Sequence, residues 1–417
     1  MIRLNKLTLE ELIMSLTIFF IPYTAFRIMG LKISEISMII LMIVMLLKGE
    51  AKISKKNNSF NFVVFICICI FVSGVLGLID PINQYVYGKN EGIYYSFEFG
   101  WIFKIVRFII VWFFSLYFMD KVKEERYLKK YFNIYILSCL LLDIWGIIMA
   151  VKNGIVAIGV TRTALAAVEP AEAGFINCFG IICALFMLYK HRELKYIFSG
   201  VVMIIGQLII GSTSSIVCMV GAIIVATLYL INMENHDLAK KIILYIVGGA
   251  CITVAVFYLI NRTTLLDKII NYRTYLTIRG SSVAERITTI QTCWKIFCAR
   301  PILGIGFGNF GWYIKHYVTS PLLNYVPGGS FQPNCLYFEL LAELGIVGFL
   351  GYLVFIKKIL FKIMQIIKVE KSNYSFLFLA TLVYILIHNF TLTTIYSFQF
   401  WMVVACVLSC RKRKEKD

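Results

Sequence analysis

The chain is patterned as apolar runs of about 17 to 22 residues, separated by short polar or charged stretches over nearly its whole length. A helix needs about 20 apolar residues to cross ~30 Å of hydrocarbon, so each run is long enough to span a bilayer. Twelve spans are predicted, at roughly 11–28, 33–48, 60–79, 99–118, 131–151, 173–189, 196–211, 214–232, 242–260, 335–356, 374–391 and 395–410. Lipid offers no partner to a backbone amide, so runs of this kind must close their hydrogen bonds as helices. The predicted fold class is an all-α polytopic membrane protein with about 12 transmembrane helices and one large outer loop between spans nine and ten. Its parts are spans one to nine (1–260), the loop (261–334), and spans ten to twelve with a basic tail (335–417).

The polar connections give the orientation. KGEAKISKKNN, DKVKEERYLKK, YKHRELK, HDLAKK, the KKILFKIMQIIKVEK segment after span ten and the tail RKRKEKD fall on one side, which with the N-terminus carries 26 Lys and Arg. The short connections on the other side carry only Arg27, Lys32, Lys89, Lys152 and Arg162. Loops rich in Lys and Arg stay cytoplasmic, so both termini are expected inside the cytoplasmic membrane and the long loop outside.

Composition agrees: 60% of residues are hydrophobic, 15% are charged, and the mean hydropathy is +0.81. The net charge of +18 fits loops facing anionic lipid, so the bilayer is an expected partner and nucleic acid is not. Of 12 cysteines, most fall in the spans and none forms a CxxC pair, which points to apolar packing. There is no internal repeat of the kind common in secondary transporters.

The long loop holds an amphipathic helix candidate over Val283–Cys298. Val283, Ile287, Ile290, Trp294 and Phe297 share one face at helical spacing, while Glu285, Arg286, Thr289 and Lys295 point elsewhere. Arg300-Pro301 ends it, and the run GIGFGNF follows, with Gly304, Gly306 and Gly308 at alternate positions. A phosphate-cradling loop needs a preceding strand and a following helix, and neither is expected here. The run reads as a tight turn with close backbone approach, folding the loop back over a cavity.

Ionisable residues gather on the outer half. Arg162 and Glu169 lie in TRTALAAVEPAEAG; Arg262, Arg273, Arg279, Arg286 and Arg300 in the long loop. Lys104 and Arg107 lie inside span four, Asp143 inside span five, Glu339 and Glu343 at the start of span ten, and His388 near the end of span eleven. Charge at membrane depth faces a cavity or a partner. One expectation pairs Lys104 or Arg107 with Asp143; the other has the cations line a pocket for an anionic lipid head group, which arginine suits with its planar fork of donors. His316 and His388 are candidate bases or hydrogen-bonding groups, and no metal-ligand spacing is present, so no metal or other cofactor is expected.

The order of an Arg-bearing helix, RPILGIGFGNF, then PNCLYFELLAELGIVGFL resembles the signature region of the O-antigen ligase and polymerase superfamily, over about Arg286 to Leu350. RTALAAVEPAEAG, Arg162 to Gly174, is similar to a segment of polysaccharide polymerases, and LIIGSTSS, Leu208 to Ser215, to the family's T-G-S-R-S turn. Two positions depart from the pattern: Thr213 or Ser214 stands where the family has Arg in that turn, and Pro333 precedes Asn334 where ligases have His. Both favour a Wzy-type polymerase over a ligase.

The resemblance implies a GT-C-like glycosyltransferase that works without metal at the outer leaflet. It would move a glycan from undecaprenyl diphosphate onto the terminal sugar of another undecaprenyl-diphosphate-linked oligosaccharide, building O-antigen, capsule or exopolysaccharide, with a chain-length-regulating co-polymerase as a further partner. It implies Arg162, Arg286 and Glu169 as catalytic residues, Glu169 as the base with Glu172 or Glu339 next. Lys104, Arg107, Arg279, Arg300, Glu339, Asn334 and His388 would line the diphosphate and glycan site. The alternatives are a ligase with another acceptor and, from a different class, a lipid-linked oligosaccharide flippase.

Overall fold

The computed structural model of the chain describes residues 8–28, 30–48, 58–79, 100–152, 164–167, 169–232, 280–310, 333–370 and 374–410. Span nine, the outer stretch Asp80 to Glu98, Arg162, Arg262, Arg273, Arg279 and His316 lie outside the described residues. The described part is helical but for one two-residue ladder.

Helix α1 (Leu9–Phe20) opens on Thr8, whose hydroxyl accepts from the Glu11 amide at 3.3 Å, the usual service of an N-cap threonine. The predicted first span, 11–28, ends early. Pro22 lacks the N–H a continuing helix needs, and the chain turns into an antiparallel ladder, β1 (Arg27–Ile28) with β2 (Leu31–Lys32), in which Arg27 faces Lys32. Then follow α2 (Ile33–Leu47), α3 (Asn58–Ile79), α4 (Gly100–Lys121), α5 (Glu125–Lys152), α6 (Pro170–His191), α7 (Leu194–Ile210) and α8 (Thr213–Asn232). After residue 279 come α9 (Gly280–Ala299), α10 (Leu336–Glu370), α11 (Tyr374–His388) and α12 (Phe398–Ser409).

Among the described residues, three helices are long and apolar enough to cross a membrane, α5, α6 and α10; six further apolar helical segments are shorter. The chain thus has the build of a multi-pass helical membrane protein. Leu12, Leu16, Ile40, Ile43, Leu137, Leu141, Ile224, Leu228 and Val354 are exposed on the outside of the bundle, where lipid tails would meet them. Two helices form the axis: α6 is buried without a break from Ala173 to Ala184, and α12 from Phe398 to Val407. Helix α6 packs on α5, α7, α8 and α11, and α12 on α4, α10 and α11. Several polar groups on and around this axis are paired: Tyr135 Oη donates to Ile176 O at 3.0 Å, Tyr384 Oη to Phe175 O at 3.1 Å, and Gln399 Nε2 to Tyr135 Oη at 3.2 Å.

One further expectation is corrected. The KKILFK segment is the continuation of α10, because Ile359, Ile363, Ile366 and Ile367 keep helical spacing and bury themselves while Lys357, Lys358 and Lys368 stay exposed. In α9 the buried side chains are Thr289, Thr292, Cys293 and Ile296, whereas Ile287 and Trp294 are exposed. Two large apolar residues of the predicted stripe thus face outward, Ile290 and Phe297 are half-buried, and α9 packs against α10.

Candidate functional site

The glycine run resolves into a backbone splice. Helix α10 is interrupted at Gly345, which takes φ 62° and ψ −165°, a conformation open only to glycine. The break leaves the amides of Ile346 and Val347 without their in-helix acceptors, Ala342 and Glu343. The turn after α9 supplies replacements: Ile346 N donates to Pro301 O at 2.8 Å and Val347 N to Ile302 O at 3.4 Å. The stranded carbonyls are used in return, with Ile305 N donating to Ala342 O and Gly306 N to Glu343 O, both at 3.0 Å. A side chain on Gly304 would meet the Glu343 backbone at 2.4 Å, so the approach needs glycine there. The Glu343 carboxylate completes the join, accepting from Gly308 N at 2.7 Å and Phe310 N at 3.0 Å. The turn therefore enters the helix break and gives its amides to a carboxylate of the chain itself.

One turn before Glu343, the buried Glu339 accepts a hydrogen bond from the Thr393 hydroxyl. Its neighbourhood is fixed from below by Asn389, whose carbonyl oxygen takes Leu336 N at 2.8 Å and whose amide donates to Tyr352 Oη at 3.1 Å. Asn334 makes the entry into α10 with a left-handed φ of 44°, and Thr289 Oγ1 on α9 donates to Pro333 O at 3.4 Å.

Arg286 is half-buried on the inward face of α9, in line with Thr289, Cys293 and Ile296. Its positive charge is felt at His388 on α11 and at Cys218 on α8. His388 is fully buried. Its Nε2 is 2.9 Å from Ser215 Oγ, its Nδ1 3.2 Å from Thr391 Oγ1, and its ring stands edge-on to Phe175 and Tyr384. Ser215 is in turn 2.9 Å from Ser212 Oγ at the start of α8. A hydroxyl–imidazole chain, Ser212–Ser215–His388–Thr391, thus lies beside a guanidinium, with hydroxyls able to give or accept a proton at each link.

Two of the other charges expected on the outer half, Arg107 and Glu172, are held by the scaffold. Arg107 pairs with Glu35 at 3.2 Å and donates to Gly30 O at 3.0 Å, while Glu35 also accepts Lys32 N at 2.9 Å. The expected pairing with Asp143 is therefore overturned for Arg107: Glu35, 3% exposed on α2, is its partner. Lys104 lies on α4, with its side chain outside the described part. Glu172 accepts from Thr24 Oγ1 at 2.7 Å and Lys32 Nζ at 3.0 Å, which neutralises it. Glu169 precedes α6, with its carbonyl taking Ala173 N at 3.0 Å and Pro170 at the first helical position. Arg300 is half-buried, and its carbonyl accepts Gly304 N at 3.1 Å at the mouth of the splice. Among the described residues no group of three or more His, Cys, Asp or Glu is placed to hold a metal.

Of the expected site residues, Arg286 and His388 are brought together, with Glu339 on the helix that packs against α9. Arg107 serves elsewhere. Sequence reasoning missed Ser212 and Ser215 as partners of His388; the signal was present in the small polar run STSS next to a turn. It also missed Glu35, whose spacing of three from Lys32 at a helix start is that of a residue folding back on its own cap.

Residues 198–353, from α7 through α10, match the family model described as O-Antigen ligase. This stretch contains Ser212, Ser215, Arg286, the glycine splice, Glu339 and Glu343; Glu169 and His388 lie outside it. No curated protein matches the chain. That stretch, under half of the chain, is similar to the O-antigen ligase family.

Proposed function

We propose that the chain is a glycosyltransferase of the outer leaflet that polymerises lipid-linked oligosaccharide repeat units. A hydroxyl of the acceptor's terminal sugar attacks the anomeric carbon of the donor glycan. The new glycosidic C–O bond forms as the bond to the diphosphate breaks, undecaprenyl diphosphate leaves, and the hydroxyl proton passes to a base. The chemical burden is the negative charge gathering on the departing diphosphate, which preorganised cations relieve. Arg286 serves that end, with Arg162, Arg279 and Arg300 as the further cations of the outer loops, and Glu169 takes the proton. Glu172 is a weaker choice of base because Thr24 and Lys32 already hold it.

The observation that carries this reading is a half-buried Arg286 on α9, the helix packed against α10, inside the stretch that matches the O-antigen ligase family. Pro333 in place of the ligase histidine favours a polymerase over the ligase named by the family description. A deletion strain separates the two. A polymerase mutant leaves single repeat units on the final acceptor; a ligase mutant leaves the acceptor bare while long chains stay on the carrier lipid. Normal long-chain glycan on the normal acceptor in that strain would sink both.

A further inference from the structure

Asp143 is the anomaly of the bundle. It is 1% exposed in the middle of α5, its Oδ2 has no hydrogen-bond partner, and no charged group among the described residues acts on it. The Oδ1 side abuts α7 so closely that a side chain on Gly206 would meet it at 2.1 Å. Across a small cavity, Asn177 on α6 also keeps an unpartnered buried oxygen, Oδ1. The direction of that amide is set by its other end: Nδ2 donates to Met203 O at 2.9 Å and Gln207 Oε1 at 3.3 Å, and Gln207 Nε2 donates onward to Ser212 O at 3.3 Å. Turning the amide over would set its oxygen against two other oxygens. The cavity, lined by Pro22, Cys139, Asp143, Leu165, Asn177 and Ile210 among others, therefore has two oxygen acceptors without a hydrogen-bond partner, one of them a carboxylate oxygen.

Buried acceptors without a donor, and a buried carboxylate without a cation, are each costly in a medium without water. One small positive species removes both deficits. We propose that Asp143 Oδ2 and Asn177 Oδ1 bind a single monovalent cation, Na+ or a proton, in the cavity between α5, α6 and α7. A proton would sit on the carboxyl oxygen and be given to the amide oxygen, directly or through a water; Na+ would take both oxygens as ligands. The site has a bearing on the outer face. Leu165, at φ 51°, presses its side chain where a Cβ on Gly146 of α5 would stand, and Ala166 O takes Ala25 N at 2.9 Å, so the cavity wall is the turn that leads into Glu169. Loss of the cation leaves an unpaired anion beneath that turn. The inference is independent of the glycosyl-transfer reading.

The test uses the full chain purified in detergent, with unfolding followed by tryptophan fluorescence. One arm compares NaCl, KCl and choline chloride at equal ionic strength and neutral pH; the other raises pH from 6 to 9.5 in choline chloride. The titratable groups near Asp143 are Cys139 on its own helix, Cys178 on α6, and Tyr23, which faces Cys139 from the turn after α1. All three remain in Asp143→Asn, which keeps the shape and removes the charge. A saturable, sodium-specific rise in the wild-type midpoint that is absent in Asp143→Asn identifies Na+. A midpoint that falls with rising pH in the wild type, more than in Asp143→Asn, identifies a proton. Wild-type protein indifferent to both variables overturns the proposal with no variant needed, as does a response that Asp143→Asn shares in full.

Discussion

Replacing Gly345 by alanine tests the splice that seats the glycine turn in α10. The substitution acts in two ways. A φ of 62° with ψ of −165° costs a non-glycine residue about 1–3 kcal/mol. The new Cβ would also stand 2.3 Å from Ile302 O and 2.7 Å from Leu303 N, so the turn must withdraw. Withdrawal strains the pairs Ile346 N–Pro301 O and Ile305 N–Ala342 O, and each buried group left unpaired costs about 1–3 kcal/mol. Strain plus one lost pair gives roughly 2–6 kcal/mol. At ~2 °C per kcal/mol the unfolding midpoint falls by roughly 4–12 °C. Gly200→Ala is the control, because a Cβ there meets nothing within 4 Å and alanine favours a helix by roughly 0.5–1 kcal/mol. Scanning fluorimetry of both variants in the same detergent is the assay. Equal midpoints for Gly345→Ala and Gly200→Ala would refute the splice.

Glu343→Gln should fall in the same direction by about 1–3 kcal/mol, since an amide NH₂ then confronts the Gly308 or Phe310 N–H; Glu343→Gln with an unchanged midpoint would show that these amides do not depend on the carboxylate. Arg107→Ala strands the buried Glu35 and should cost about 3–5 kcal/mol, much of it recovered in the double variant Arg107→Ala/Glu35→Gln; additive losses would contradict the pairing. Between α6 and α7, hydrogen bonds from Lys129 and Lys195 hold Glu193 down at about 2, below its ordinary 4.5. Its contribution is therefore full above pH 4.5 and lost as pH falls toward 2, so the midpoint gap between wild type and Glu193→Gln should close over that window and stay constant from pH 6 to 8.

Legibility in the sequence followed the reach of each signal. Apolar runs are local, and they gave the helices over 33–48, 60–79, 173–189 and 196–211 nearly to the residue. The end of α1 was misjudged because apolar character continues to Ile28 past Pro22, where backbone chemistry and not hydropathy decides. Helical spacing finds the apolar stripe of α9 but does not say whether lipid or protein covers it; Ile287 and Trp294 on the stripe are exposed, while Ile296 off it is buried. The glycines announced a close approach, yet the approached partner, the carbonyls of Ala342 and Glu343, lies about 40 residues on and leaves no local mark. The same holds for Glu35 with Arg107 and for Ser215 with His388, pairs set by helix packing alone.

The central claim is that Arg286 faces the reacting diphosphate. It is tested most directly by mixing purified protein with undecaprenyl-diphosphate-linked repeat units and measuring undecaprenyl diphosphate released and repeat units joined. Arg286→Ala should lower the rate about 10²- to 10³-fold with the unfolding midpoint retained, and Arg286→Lys should restore part of it. Arg286→Ala protein that is folded and joins repeat units at the wild-type rate would contradict the claim.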